Sequence, residues 1–193
     1  YILNTDNLTT KEKLINEFFA LNYNHLDDLK LVKDEIAAYL EEEEDYLLRN
    51  LYYACKSLIA LNTAKNIEEA QQFAKKIWDR LEKFDRWYLL DIRLINTILF
   101  IFPIDVAVNI GERATKQLIP YYNLKEAEVL LINLDINLSV LLIDDKKYPE
   151  ALSYLEKVIS LCKKYQKYNQ LAIAYSTKGL ILQKTGQTDE GSE

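Results

Sequence analysis

The chain of 193 residues has no methionine, four glycines, three prolines, two cysteines and one histidine. Each scarcity excludes something. With so few glycines there is no glycine-rich phosphate loop and no nucleophile elbow. The single histidine, His25, sits in a short Asn24-His25 loop with no cysteine nearby, so metal-ligand spacing is absent. Cys55 and Cys162 are far apart, each in an apolar helical context, and read as buried reduced thiols of a cytoplasmic protein. Long hydrophobic runs are missing too. The most apolar window, 94–102, is too short to span a bilayer and carries Asn96 and Thr97, and no signal peptide precedes it. Positive charge is in deficit, with a net charge of −6 and a pI near 5.0, which argues against gripping a phosphate backbone. Scattered Asp and Glu specify no acid–base pair. The expectation is therefore no enzyme, no cofactor, no metal and no membrane partner.

Hydrophobic residues make up 49% of the chain, alternation of the strand kind is lacking, and Leu, Ile, Lys, Glu and Ala dominate. That pattern predicts an all-α fold. Thr9 or Thr10 caps a first helix running to about Tyr23, followed by helices over 26–40, 46–63 and 67–84. The acids of 41–45 read as a solvated helix end and turn. Pro103 starts a helix that ends near Ile119, before Pro120. Three more helices are expected over 124–143, 148–165 and 169–185, the last stopped by Gly186. Long helices on short turns imply antiparallel neighbours. The chain begins at Tyr1 and ends soon after Gly186 and Gly191, and it reads as one domain excised from a longer protein, with a segment missing at each end.

Residues 86–103, RWYLLDIRLINTILFIFP, read as one long apolar helix closed by proline. Arg93 and Asn96 interrupt its apolar run three residues apart, hence on one face. A polar group buried there without a partner costs about 1–3 kcal/mol. Either the protein satisfies these side chains or their face lines a ligand groove.

An internal repeat bears on that choice. Ile67-Glu68-Glu69-Ala70, Ile104-Asp105-Val106-Ala107 and Tyr148-Pro149-Glu150-Ala151 each open the second helix of a pair with a small alanine. Their spacings of 37 and 44 residues are near those of helical-pair repeats, and the pattern resembles a degenerate tetratricopeptide (TPR) repeat. Leu138-Ser139 and Lys178-Gly179 supply small residues in first helices. The expected fold is therefore TPR-like helical repeats, antiparallel helix pairs in a right-handed superhelix whose inner wall is built by the first helices. Fourteen residues before each repeat alanine stand Lys56, Arg93 and Asn137, at positions that face the groove in the TPR pattern, as do those of Asn96 and Asn133. Asparagine can pair a peptide bond in both directions, and Arg93 can hold a carboxylate. Leu130, Leu134, Ile92, Phe100 and Tyr175 are candidates for apolar pockets.

Two motifs carry a family resemblance. Trp87…Asp91-Ile92-Arg93-Leu94…Asn96…Leu99 and Lys178-Gly179-Leu180-Ile181-Leu182…Thr185-Gly186…Glu190-Gly191 resemble the Rgg/GadR/MutR family of transcriptional regulators. The resemblance implies the C-terminal domain of a cytoplasmic quorum-sensing regulator. Such a domain binds a short signalling peptide and forms a homodimer. DNA is contacted only through an N-terminal helix-turn-helix domain that is not in this chain. The peptide-binding residues are then Arg93, Asn96, Asn133, Asn137, Lys56 and Tyr175. The alternative is a TPR-type adaptor binding a protein tail, distinguished by the absence of a helix-turn-helix segment upstream.

Overall fold

A computed structural model describes residues 9–64 and 66–186. Glu190 and Gly191 of the second motif, and Lys65, lie outside the described residues. Among those described there are nine α-helices and no strand, an all-α helical-repeat fold. The chain divides into two compact units, Tyr1–Asp85 and Arg86–Glu193.

The first unit holds α1 (Thr10–Ala20), α2 (Leu26–Glu42), α3 (Tyr46–Ala64) and α4 (Ile67–Leu81). Thr9 opens α1 with a capping box: its hydroxyl accepts the Glu12 N–H, and the Glu12 carboxylate accepts the Thr9 N–H. The helix stops at Ala20, short of Tyr23. Leu21 turns extended there, and the Asn22 side chain accepts the Asn24 N–H, a local bond that competes with helix continuation. The acid run ends usefully: Asp45 accepts the Leu48 N–H at 2.9 Å, beginning α3, and pairs with Lys11. Stripes of Leu29, Val32 and Ile36 on α2 and Leu48, Leu51, Cys55 and Leu58 on α3 form the core with Ala70, Ala74 and Ile77 of α4. Helix α4 ends at Leu81 rather than Phe84, because the chain tightens there into turns closed by Lys83 and Phe84 N–H groups.

The second unit holds α5 (Leu89–Ile98), α6 (Ile104–Leu118), α7 (Lys125–Asp144), α8 (Tyr148–Tyr165) and α9 (Tyr168–Thr185), with 3-10 turns at Leu99–Ile101 and Ile119–Tyr121. The single helix expected over 86–103 is corrected to the shorter α5. Trp87 is wholly buried ahead of the helix, and side chains hold its backbone: its N–H donates to Gln117 at 3.0 Å and its carbonyl accepts the Tyr121 hydroxyl at 2.9 Å. Asp91 then accepts the Tyr88 N–H at 3.0 Å and starts the helix at Leu89. At the other end a 3-10 turn precedes Pro103.

The repeat alanines Ala70, Ala107 and Ala151 are all wholly buried, as close helix contact requires. Their helices α4, α6 and α8 pack on α3, α5 and α7 respectively. In the first pair the Ser57 hydroxyl donates to the Ala70 carbonyl. Helix α6 packs tightly on α7 at Gly111, where a Cβ would stand 2.6 Å from a Leu138 methyl. At the α8–α9 corner Gln166 takes the left-handed conformation, with φ 56°, and the next N–H closes on the Cys162 carbonyl. Gly186, with φ 73°, ends α9 in the same way.

Candidate functional site

Between α5 and α7, inside the second unit, lies a cleft of about 420 Å³. The first turns of both helices form its walls. Leu89 and Leu90 of α5 face Val129 and Leu130 of α7, giving an apolar lining. Arg93, which is exposed, and Asn133, which is half-buried, also line it, together with Lys125, Glu126 and Lys167. Leu89 and Arg93 are one turn apart on α5, and Glu126, Leu130 and Asn133 follow one stripe of α7, so helix periodicity alone aims these side chains at a common space. Helix N-termini are also positive ends, and two of them flank this cleft.

One turn beyond the cleft the same stripes continue. Asn137 donates from Nδ2 to the Asn96 Oδ1 at 2.9 Å, joining α7 to α5. Of the four asparagine and arginine side chains expected at the inner wall, Arg93 and Asn133 line the cleft, while Asn96 and Asn137 pair with each other beside it. Arg93 and Asn137 are exposed, and Asn96 and Asn133 are half-buried. The concern over burying a polar group in an apolar helix therefore does not arise at Arg93.

The remaining candidates lie elsewhere. Lys56 belongs to the first unit, where its ammonium rests 4.2 Å from the centre of the Phe73 ring and 5.6 Å from that of Tyr52. Tyr175 is exposed on α9, with the Lys163 ammonium 5.8 Å from its ring centre. Among the apolar candidates only Leu130 lines the cleft. Ile92 and Leu134 are wholly buried core residues, and Phe100 is exposed in the 3-10 turn after α5. Lys125, Lys167 and Glu126 were not singled out from the sequence. Stepping back two turns from Asn133 on its stripe reaches Glu126, a signal present in the spacing, whereas Lys167 arrives from the α8–α9 corner and only the fold brings it near.

The cysteines carry no chemistry here. Both are buried and unpaired, and burial pushes the Cys55 thiol up to about 12, far from a reactive thiolate. A second unforeseen feature is Asp135, a wholly buried carboxylate on α7. The Lys157 ammonium lies 2.8 Å from its Oδ2, and Oδ1 has no hydrogen-bond partner among the described residues. Burial raises its pKa and Lys157 opposes the rise.

Residues 10–193 match the family described as HTH-type transcriptional regulator Rgg, C-terminal domain. The chain belongs to this family. The Rgg domain is thus part of a transcription regulator, and its family is not one of enzymes. No curated protein sequence and no solved structure matches the chain. Among its described residues no helix is long and apolar enough to cross a membrane.

Proposed function

We propose that this Rgg domain is the sensory and dimerisation part of a cytoplasmic quorum-sensing regulator, its two units acting as one regulatory domain, and that it binds a short signalling peptide in the cleft between α5 and α7. The observation that carries this reading is the convergence of Arg93 and Asn133 on one cleft with leucine walls. Asn133 offers a donor and an acceptor to a peptide bond, and Arg93 offers a charge-assisted bond to a carboxylate. The Asn96–Asn137 bond supports the same site, since it fixes the spacing of the two helices and leaves a polar pair where an extended peptide would continue. Lys56 and Tyr175 do not line the cleft, and their peptide role remains a secondary proposal.

Affinity selection from a synthetic library of short peptides, followed by titration of the best binder, tests this. Replacing Arg93→Ala removes a charged hydrogen bond worth about 1.5–3 kcal/mol, weakening binding roughly ten- to a hundredfold. Because Arg93 is exposed, the thermal melt should stay in place. Unchanged affinity would remove Arg93 from the site.

Dimerisation is supported by α9, where Ile173 and Leu180, two turns apart on one face, are exposed. Light scattering at about tens of micromolar should give a mass near twice the 22.6 kDa of one chain. A monomer mass would count against the dimer.

A further inference from the structure

The cleft between α5 and α7 is unevenly charged. Arg93, Lys125 and Lys167 line it, against the lone lining carboxylate of Glu126. Lys167 pairs with Glu128 at 3.6 Å and keeps 22% of its side chain exposed. Lys125 makes no ion pair among the described residues and is exposed. Beside these cations and the polar Asn133 and Glu126 lie apolar walls, Leu89 and Leu90 on one side and Val129 and Leu130 on the other. The volume of about 420 Å³ is that of a small-ligand site. A complementary occupant has an anionic end and an apolar body, and it fits whole within a few residues.

Two kinds of peptide carboxylate satisfy the charge, the chain terminus and an Asp or Glu side chain. They differ in what surrounds the anion. A terminal α-carboxylate sits directly on the backbone, so the last side chain can lie against the leucines while the preceding amide reaches Asn133. An internal Asp brings a flanking peptide bond on each side of its own residue, and polar backbone then meets the apolar walls unpaired, at a cost.

We propose that the cleft takes the C-terminal residue of a peptide ending in an apolar side chain, its α-carboxylate held by Lys125 and Lys167 beside Arg93. The proposal rests on the reading of the cleft as a peptide site and adds the end of the peptide that enters it.

The probes are acetyl-Leu-Ile-Leu with a free C-terminal carboxylate, the same peptide as its C-terminal amide, and acetyl-Leu-Asp-Leu amide. Each is titrated to roughly millimolar concentration and followed by amide chemical shifts of the chain. The free carboxylate should bind at least about tenfold more tightly than either amide, shifting signals of Leu89, Leu90 and Leu130. Lys125→Gln, at an exposed side chain, should weaken the free carboxylate several-fold and leave the amide unchanged. Equal binding of the free and amidated forms of acetyl-Leu-Ile-Leu would overturn the carboxylate assignment while leaving the cleft a peptide site. Tightest binding by the internal Asp peptide would overturn the terminal assignment in favour of a side-chain anion. No shift at the cleft with any probe would overturn this proposal and the peptide reading together.

Discussion

At the scale of the residue, Asp135 is the side chain whose environment makes the sharpest demand. It is wholly buried, its neighbour Lys157 is 45% exposed, and Tyr154 is held above its ordinary value by burial and by the charges of Glu112 and Asp135. Burial disfavours the ionised carboxylate more than Lys157 favours it, so the folded chain keeps the Asp135 proton to higher pH than the unfolded chain does. The native state then binds more protons than the unfolded state between the two pKa values. Stability must fall as pH rises through that window. Asp135→Asn, which cannot ionise, should lose this dependence. Urea unfolding from about pH 4 to about pH 7 should show the wild type losing stability relative to the variant. A constant difference across the range would mean that Lys157 fully compensates the burial.

At the scale of the element, most of the helices were legible because their apolar stripes repeat every three to four residues and their ends carry recognisable chemistry. Thr9 with Glu12, Pro149 in the first turn of α8 and Gly186 after α9 each act locally, and each boundary falls where the local chemistry puts it. The expectation over 86–103 was wrong at its start for the opposite reason. Nothing near Trp87 in sequence stops a helix. Its backbone is held by Gln117 and Tyr121, about thirty residues away, and only the fold supplies them. The same division runs through the cleft. Arg93 and Asn133 were legible from the repeat alanines, because Ala107 and Ala151 are buried anchors at a fixed register from the facing helices. Lys167 was not, since it sits on a corner that Gln166 shapes with a left-handed backbone no repeat pattern requires. Ile92 and Leu134 were misplaced because apolar character alone does not separate a core stripe from a pocket stripe one position away on the same helix.

At the scale of the whole molecule, charge decides what the chain can hold without help. Residues 86–193 contain as many Lys and Arg as Asp and Glu, so the entire net charge of −6 belongs to residues 1–85, where the run 41–45 is acidic throughout. Binding duplex DNA draws most of its free energy from neutralised phosphates, which needs several cations on one face. Several of the cations that are present are engaged otherwise: Lys56 and Lys76 lie over aromatic rings, while Lys11, Lys75, Lys147 and Lys157 pair with carboxylates. We infer that a transcription regulator built with this domain draws its DNA contacts from a different part of the protein. The isolated chain should bind duplex DNA more weakly than about 10⁻⁴ M at physiological salt, without sequence preference. Fluorescence anisotropy with labelled duplexes of varied sequence measures this directly. Micromolar binding that discriminates between sequences would place a DNA-reading surface on these helices and overturn the division of labour.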